Sequence, residues 1–318
     1  MEFTRKMMGG SPLRLLGLAG MIVMAVTVSG WQVGSPLLNI RPSYEDVAYT
    51  PTPGTQKLDL YLPAGKGPFP VVVNIHGGGF KNGDKSLVDL LVAKPLLAHG
   101  YAIASIDYRM SAEAKFPAAV LDAKAAVRYL RANAAKYNLN PNKIVPFGQS
   151  AGANIAAMLG TTNGRNEFDD PALGNAGVSS NVQAVIDWFG PIDFSKMDEE
   201  AKAQGCPAEG QTHNKADSME SEYLGKPVPQ AINLVRKSNP ITYISKNVPP
   251  FLIQNGEKDC IVPVAQSRLF IEALEAAGAD AHYDLLKNVG HGDRGGTPVF
   301  ESEENIQKIL QFLAAKLP

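Results

Sequence analysis

Ser150 stands in Gly148-Gln149-Ser150-Ala151-Gly152, with a glycine two residues away on either side. That spacing suits a nucleophile carried on a sharp strand-to-helix turn, because flanking glycines let the surrounding backbone approach without a side-chain clash. The run Lys143–Phe147 before it reads as a strand, and the small-residue run Ala151–Leu159 after it reads as a helix. The amino end of such a helix offers an N–H group and a positive dipole end to an oxygen that gains negative charge. A serine hydroxyl is a weak nucleophile by itself; it needs a base, and the base needs an orienting acid. On this kind of turn the chain order is serine, acid, histidine. Asp259, in Asn255-Gly256-Glu257-Lys258-Asp259-Cys260, and His291, in Gly290-His291-Gly292-Asp293, meet that order, each on a loop beyond a predicted strand. Glu257 is a rival acid on the same loop, but it lies nearer the strand end, and Asp259 is preferred.

His76-Gly77-Gly78-Gly79 follows the apolar run Phe69–Ile75. Three glycines at a strand end can turn backbone N–H groups toward a carbonyl oxygen, so the amides of Gly78, Gly79 and Ala151 are the expected oxyanion-hole donors. A simple tight turn is the alternative. A structural hydrogen bond is the expected part for His76; His99 and His282 read as surface or packing residues, and His213 has no recognisable partner. Phe80, Trp188 and Phe189 end predicted strands near the expected site; Phe80 and Trp188 are candidate substrate-binding residues, with core packing the alternative. Arg109 and Asp122 are expected to form a scaffold ion pair rather than to react. No His/Cys/Asp cluster has metal-ligand spacing and no phosphate-cradling glycine loop occurs, so the predicted chemistry calls for neither metal nor cofactor.

These residues need a frame that gathers loops from distant parts of the chain. Short apolar runs alternate with helical patterns, which predicts α/β architecture: a mostly parallel central sheet with helices on both faces. The predicted strands are Lys57–Leu62 (alternating like an edge strand), Phe69–Ile75, Tyr101–Ile106, Lys143–Phe147, Val182–Phe189, Pro250–Asn255 and His282–Leu286. The predicted helices are Leu87–His99, Ala118–Tyr137, Ala151–Leu159, Val264–Ala277 and Glu301–Lys316, and Ser43–Gly54 reads as a polar lead-in. Pro146 fits its strand poorly, since it lacks a ladder donor, and predicts a bulge or an early strand end. From Asp193 to Val248 the chain is polar with weak periodicity; such a long insertion is expected above the carboxyl ends of the strands as a cap, or else as a solvated excursion.

Arg5, Lys6 and Arg14 precede the apolar run Leu15–Val28, and small or tolerated residues lead to a cut before Trp31, the pattern of an export signal in residues 1–30. The run is short of the roughly 20 residues a spanning helix prefers, so no stable membrane anchor is expected. Without that segment the chain would carry 30 − 3 = 27 Lys and Arg against 31 − 1 = 30 Asp and Glu, with no basic excess for nucleic acid. Cys206 and Cys260 are the only cysteines in the 318 residues. In an oxidising compartment, if Val182–Phe189 and the Asp259 strand are sheet neighbours, they are expected to pair and tie the insertion to the acid loop, with two unrelated buried thiols as the alternative.

Taken together, His76-Gly77-Gly78-Gly79-Phe80, Asp107-Tyr108-Arg109, Gly148-Gln149-Ser150-Ala151-Gly152, Asp187-Trp188-Phe189-Gly190-Pro191, Asp259 and His291 resemble one branch of the α/β-hydrolases. It is the bacterial feruloyl/acetyl esterase-like branch, related to the hormone-sensitive lipase group, and the resemblance runs from about Tyr44 to the C-terminus. Gln149 departs from the acidic residue common in the hormone-sensitive lipase group and favours the esterase branch. The resemblance implies an α/β-hydrolase fold and hydrolysis of carboxylic esters by Ser150, Asp259 and His291, on small molecules or on acetyl and feruloyl groups of plant polysaccharide. An exported peptidase or lactone hydrolase on the same scaffold, and a non-catalytic binding protein, are the alternatives.

Overall fold

The β-branched and aromatic runs become strands, and the strands form one sheet. In the computed structural model, which describes residues 40–317 apart from Pro53, Asp89 and residues 294–297, the strands are β1 (Tyr44–Ala48), β2 (Lys57–Tyr61), β3 (Phe69–Ile75), β4 (Ala102–Ile106), β5 (Leu139–Gln149), β6 (Val185–Trp188), β7 (Phe251–Gly256) and β8 (Ala281–Leu286). The export signal expected in residues 1–30 lies outside the described residues. The spatial order is β1-β2-β4-β3-β5-β6-β7-β8, antiparallel at β1–β2 and β2–β4 and parallel from there on. Parallel neighbours need crossovers, and helices supply them.

The helices are α1 (Leu90–Ala98), α2 (Ala118–Ala132), α3 (Ala134–Tyr137), α4 (Ala151–Thr161), α5 (Met197–Gln204), α6 (Met219–Leu224), α7 (Ile232–Ser238), α8 (Val264–Ala276) and α9 (Glu303–Lys316). Successive residues of a strand point to opposite faces, so a fully apolar strand must be covered twice. Val71, Val73 and Ile75 of β3 join one core with Ala123 and Val127 of α2, Ile155 of α4 and Phe270 of α8. Val72 joins the other with Val92 and Leu96 of α1 and Ile309 and Leu313 of α9. The sheet is therefore sandwiched between helices, the α/β-hydrolase arrangement.

Three elements differ from the expectations. The polar lead-in contains β1, an exposed edge strand, which makes β2 an interior strand. Pairing with Leu58 and Leu60, rather than any apolar pattern of its own, defines β1. Pro146 neither bulges nor ends β5, which continues to Gln149. Ile144 turns its amide and carbonyl toward Gln183 on the β6 side. Pro146, two residues on, faces the same side, and the β5–β6 ladder begins only at Phe147, so no ladder donor is missing.

The insertion 193–248 is helical, in α5, α6 and α7, with shorter 3-10 turns at 208–210, 228–230 and 240–243. Local punctuation makes these helices. Ser218 caps α6 by accepting from the Ser221 amide, and Gly205 and Gly225 close α5 and α6 in the left-handed region at φ 82° and 75°. Helices of six to eight residues are too short for periodicity to announce them. Their buried residues Met197, Tyr223, Leu224 and Val235 belong to the same core as β3 and α4.

Candidate active site

The parallel register of β3 and β5 sets Ile75 beside Gly148, so the glycine run leaving β3 meets the turn leaving β5. A Cβ on Gly148 would collide with the backbone of Gly152, and one on Gly152 with the carbonyl of Ile75, so this close approach admits no other residue. Between them Ser150 takes φ 53°, ψ −123°, strained for any L-residue that is not glycine. Its amide donates to the Trp188 carbonyl at 2.9 Å, which fastens the turn to β6. The Ser150 hydroxyl is thereby lifted clear of the helix that follows.

His291 and Asp259 arrive from the loops after β8 and β7. His291 Nε2 lies 2.9 Å from Ser150 Oγ, and its Nδ1 lies 2.7 Å from Asp259 Oδ2. Asp259 is fully buried, and its Oδ1 accepts from the amides of Ile261 and Val262, both at 2.9 Å. With both oxygens of the carboxylate engaged, the Nδ1–H tautomer is favoured and Nε2 is free to accept a proton from the serine. Glu257, the rival acid, is exposed and its carboxylate takes the Asn288 amide at 3.0 Å, away from His291.

Gly78 and Gly79 adopt φ 113° and 62°. The Gly78 carbonyl accepts from Lys81 and Asn82 at 3.1 and 3.0 Å, closing a tight turn, while among the described residues neither glycine amide finds a backbone acceptor. The Ala151 amide opens α4, where no intrahelical acceptor exists. Free donors in this position can receive a carbonyl oxygen that becomes an oxyanion. His76 is buried, its Nδ1 donates to the Gly77 carbonyl at 2.7 Å, and its ring stacks on Tyr108. Burial pushes its pKa down, so the neutral ring pins the glycine run.

Phe80 and Trp188, candidate substrate-binding residues, take the core-packing alternative. Trp188 is 0% exposed, donates to Gln254 Oε1 at 2.7 Å and packs on Phe147 and Phe300. Phe80 is 2% exposed and stacks on Tyr223 with ring centroids 3.8 Å apart. Both rings are consumed by packing and neither has a face for substrate. Phe189 packs its ring 4.5 Å from the His291 ring, steadying the imidazole. The expected ion pair forms: Arg109 grips the buried Asp122 with contacts of 2.7 to 3.1 Å. His213 does have a partner, Glu220 at 3.0 Å. Burial opposes its charge, but the carboxylates of Glu220 and Asp198 outweigh this and raise its pKa.

Gln204 had no motif to announce it. Its Nε2 donates to the Asp259 carbonyl at 2.6 Å and its Oε1 accepts from Val264 at 2.9 Å, so the end of α5 clasps the acid loop on both sides. Two residues on, Cys206 is bonded to Cys260, with the Cα atoms 5.4 Å apart. β6 and β7 are sheet neighbours, as that pairing requires. A cavity of about 460 Å³ beside the α4–β6 connection, lined by Arg128, Asn166, Asp169 and Asn181, includes none of Ser150, Asp259 and His291.

The profile of the BD-FAE family matches residues 58–274. Esterase LipC of Mycobacterium tuberculosis is 30% identical over 226 residues, which are 71% of this chain and 53% of that protein. The chain spans about half the length of the curated relatives it matches first. A truncated carbohydrate esterase from gut microbiota superposes with a TM-score of 0.77 at 29% identity, over 86% of this chain and 95% of that one. A bifunctional GH43-CE protein of Bacteroides eggerthii gives 0.76 at 35% identity, over 86% of this chain and 38% of that one.

Proposed function

The chain belongs to the BD-FAE family, and on that premise we propose that it is a serine carboxylic-ester hydrolase working through an acyl-enzyme. One observation carries the reading: Ser150 Oγ, His291 and the buried Asp259 lie in hydrogen-bonded sequence beside glycine amides that have no backbone acceptor among the described residues. Ser150 attacks the ester carbonyl while His291 Nε2 takes its proton. The amides of Gly78, Gly79 and Ala151 bind the oxygen that becomes negative, and Asp259 holds the ring and stabilises its charge. His291 then passes the proton to the departing alcohol. Water, activated by the same nitrogen, releases the acid and restores Ser150.

The substrate class is a short acyl ester, either small or attached to polysaccharide. The carbohydrate esterase of gut microbiota supports this by its likeness, as does the acetyl esterase of Salmonella schwarzengrund, 25% identical over 82% of this chain. The insertion 193–248 serves as one wall of the cleft, since α5 holds the acid loop and α6 lies on the glycine run. Export to an oxidising compartment is part of the reading, supported by the leader pattern and the Cys206–Cys260 bond. Among the described residues no helix is long and apolar enough to cross a membrane.

Ser150→Ala tests the reading on p-nitrophenyl acetate. The variant should fold normally and lose activity by at least about a thousandfold, keeping only what the oxyanion donors and binding provide. A serine-directed organophosphate should label Ser150 in the parent protein and label nothing in the variant. Full activity in the alanine variant would overturn the serine mechanism.

A further inference from the structure

The helix α6 meets the glycine run residue by residue. The Met219 thioether lies against Gly79, so closely that any side chain there would collide with it. Tyr223, one turn on, stacks on Phe80, and Glu222 pairs with Lys81 at 2.8 Å. Residues i, i+3 and i+4 share one face of a helix, so Met219, Glu222 and Tyr223 form a single face laid on Gly79-Phe80-Lys81. The Tyr223 carbonyl also accepts from the Phe116 amide at 2.9 Å, and Ser218 Oγ donates to the His213 carbonyl at 2.6 Å. The helix is thus bolted down at both ends, and Tyr223 is 1% exposed.

Met219 is the exception on that face. It is 46% exposed, one of few large apolar side chains left open to solvent among the described residues, although it touches the glycine run whose amides find no backbone acceptor among those residues. A core role does not explain a methionine half out in water. Position does: an unbranched, polarizable side chain held against Gly79 offers an apolar wall to whatever enters beside the oxyanion donors.

We infer that Met219 sets the acyl-chain limit of the site. The inference rests on the esterase reading above and assigns its acyl subsite. His291 must hand its proton to the departing alcohol, so the alcohol lies on the imidazole side of Ser150. The carbonyl oxygen points at the glycine amides, and the remaining substituent, the acyl group, runs along the glycine run toward Met219. An acetyl group ends before the thioether; a longer chain meets it. Because Tyr223 and Glu222 hold α6 in place, the wall does not swing aside.

The test compares kcat/KM of the parent protein, Met219→Ala and Met219→Phe along two series. One runs from p-nitrophenyl acetate to p-nitrophenyl octanoate, varying the acyl group; the other runs from methyl to hexyl acetate, varying the alcohol. Met219→Ala should raise the hexanoate-to-acetate ratio about tenfold or more, the scale on which a pocket discriminates one or two methylenes. Met219→Phe should lower the butyrate-to-acetate ratio. Selectivity in the alcohol series should move less than about twofold, and the melting temperature of Met219→Ala should stay within about 2 °C of the parent, as for a surface change. Unchanged acyl selectivity in both variants, or a shift confined to the alcohol series, would overturn the assignment. A parent protein without activity on any ester would instead remove the esterase reading beneath it.

Discussion

Removing the Cys206–Cys260 bond separates what a cross-link does for stability from what it does for catalysis. The two cysteines are 54 residues apart, and closing a loop of that length in the unfolded chain changes its entropy by −2.1 − 1.5R ln n, about −14 cal/mol/K, a cost of about 4 kcal/mol at 25 °C. For a domain of this size each kcal/mol moves the melting temperature by about 2–4 °C, so the loss should be on the order of 10 °C. Catalysis should suffer much less. Asp259 precedes Cys260, yet its Oδ1 is held by the amides of Ile261 and Val262, and its carbonyl by Gln204, none of which needs the sulfur bridge. Activity on p-nitrophenyl acetate at 25 °C, well below melting, should therefore fall by only a few-fold, against the roughly 10⁴-fold typical of losing a triad acid. Circular dichroism melts and initial rates of Cys206→Ala/Cys260→Ala, and of the parent protein with and without reductant, give both numbers. Comparing variant with reductant separates the cross-link from the lost side-chain volume. A melting temperature unmoved by either treatment would refute the entropic argument. A thousandfold loss of rate in a folded, reduced protein would refute the claim that local amides suffice to hold Asp259.

Asp259→Asn should lower kcat on a short acyl ester by about 10⁴-fold while Glu257→Gln changes it by less than about twofold; equal losses would reassign the acid. Burial pushes the Asp187 carboxyl, 1% exposed and accepting from the Gly190 amide, up to about 7 from its ordinary 3.8. Between those values the folded chain binds a proton that the unfolded chain has lost, so stability falls as pH rises through this window, by up to about 4 kcal/mol. Asp187→Asn removes that dependence, and its melting temperature relative to the parent should rise from pH 4 to pH 8; a pH-independent difference would disprove it. Asp122→Ala strips the partner from Arg109 and leaves unpaired the Arg109 amide that donates to the same carboxylate at 2.9 Å. It should cost about 3–5 kcal/mol in urea unfolding, and a cost under about 1 kcal/mol would show the pair to be dispensable.

Much of the site could be read from the sequence because its requirements are local. A serine at φ 53° between glycines, and a glycine run at φ 113° and 62°, are backbone conformations that few residue types tolerate, so Gly148, Gly152, Gly78 and Gly79 declare them in one dimension. The parallel strands were equally plain, since burial on both faces demands the mostly apolar runs seen in Phe69–Ile75 and Pro250–Asn255. Given that frame, chain order together with position on a loop beyond a strand end singled out Asp259 and His291 as candidates, with Glu257 set aside because it lies nearer the strand end.

What only the tertiary structure decided are the contacts between segments that carry no pattern of their own. β1 is a strand because Leu58 and Leu60 stand beside it, and the short helices of the insertion bury their few apolar residues against a core made elsewhere. Trp188 and Phe80 are aromatic residues at strand ends, a position that suits a pocket wall or a packed interior equally. Gln254, Phe300 and Tyr223, all far off in sequence, supply the packing that hides them. Gln204 and Met219 reach the site for the same reason: a side chain's partners are set by which surfaces the fold brings together. Types and local spacing prescribe the chemistry and the turns that present it, whereas the walls and clasps around it depend on distances that exist only once the chain has closed.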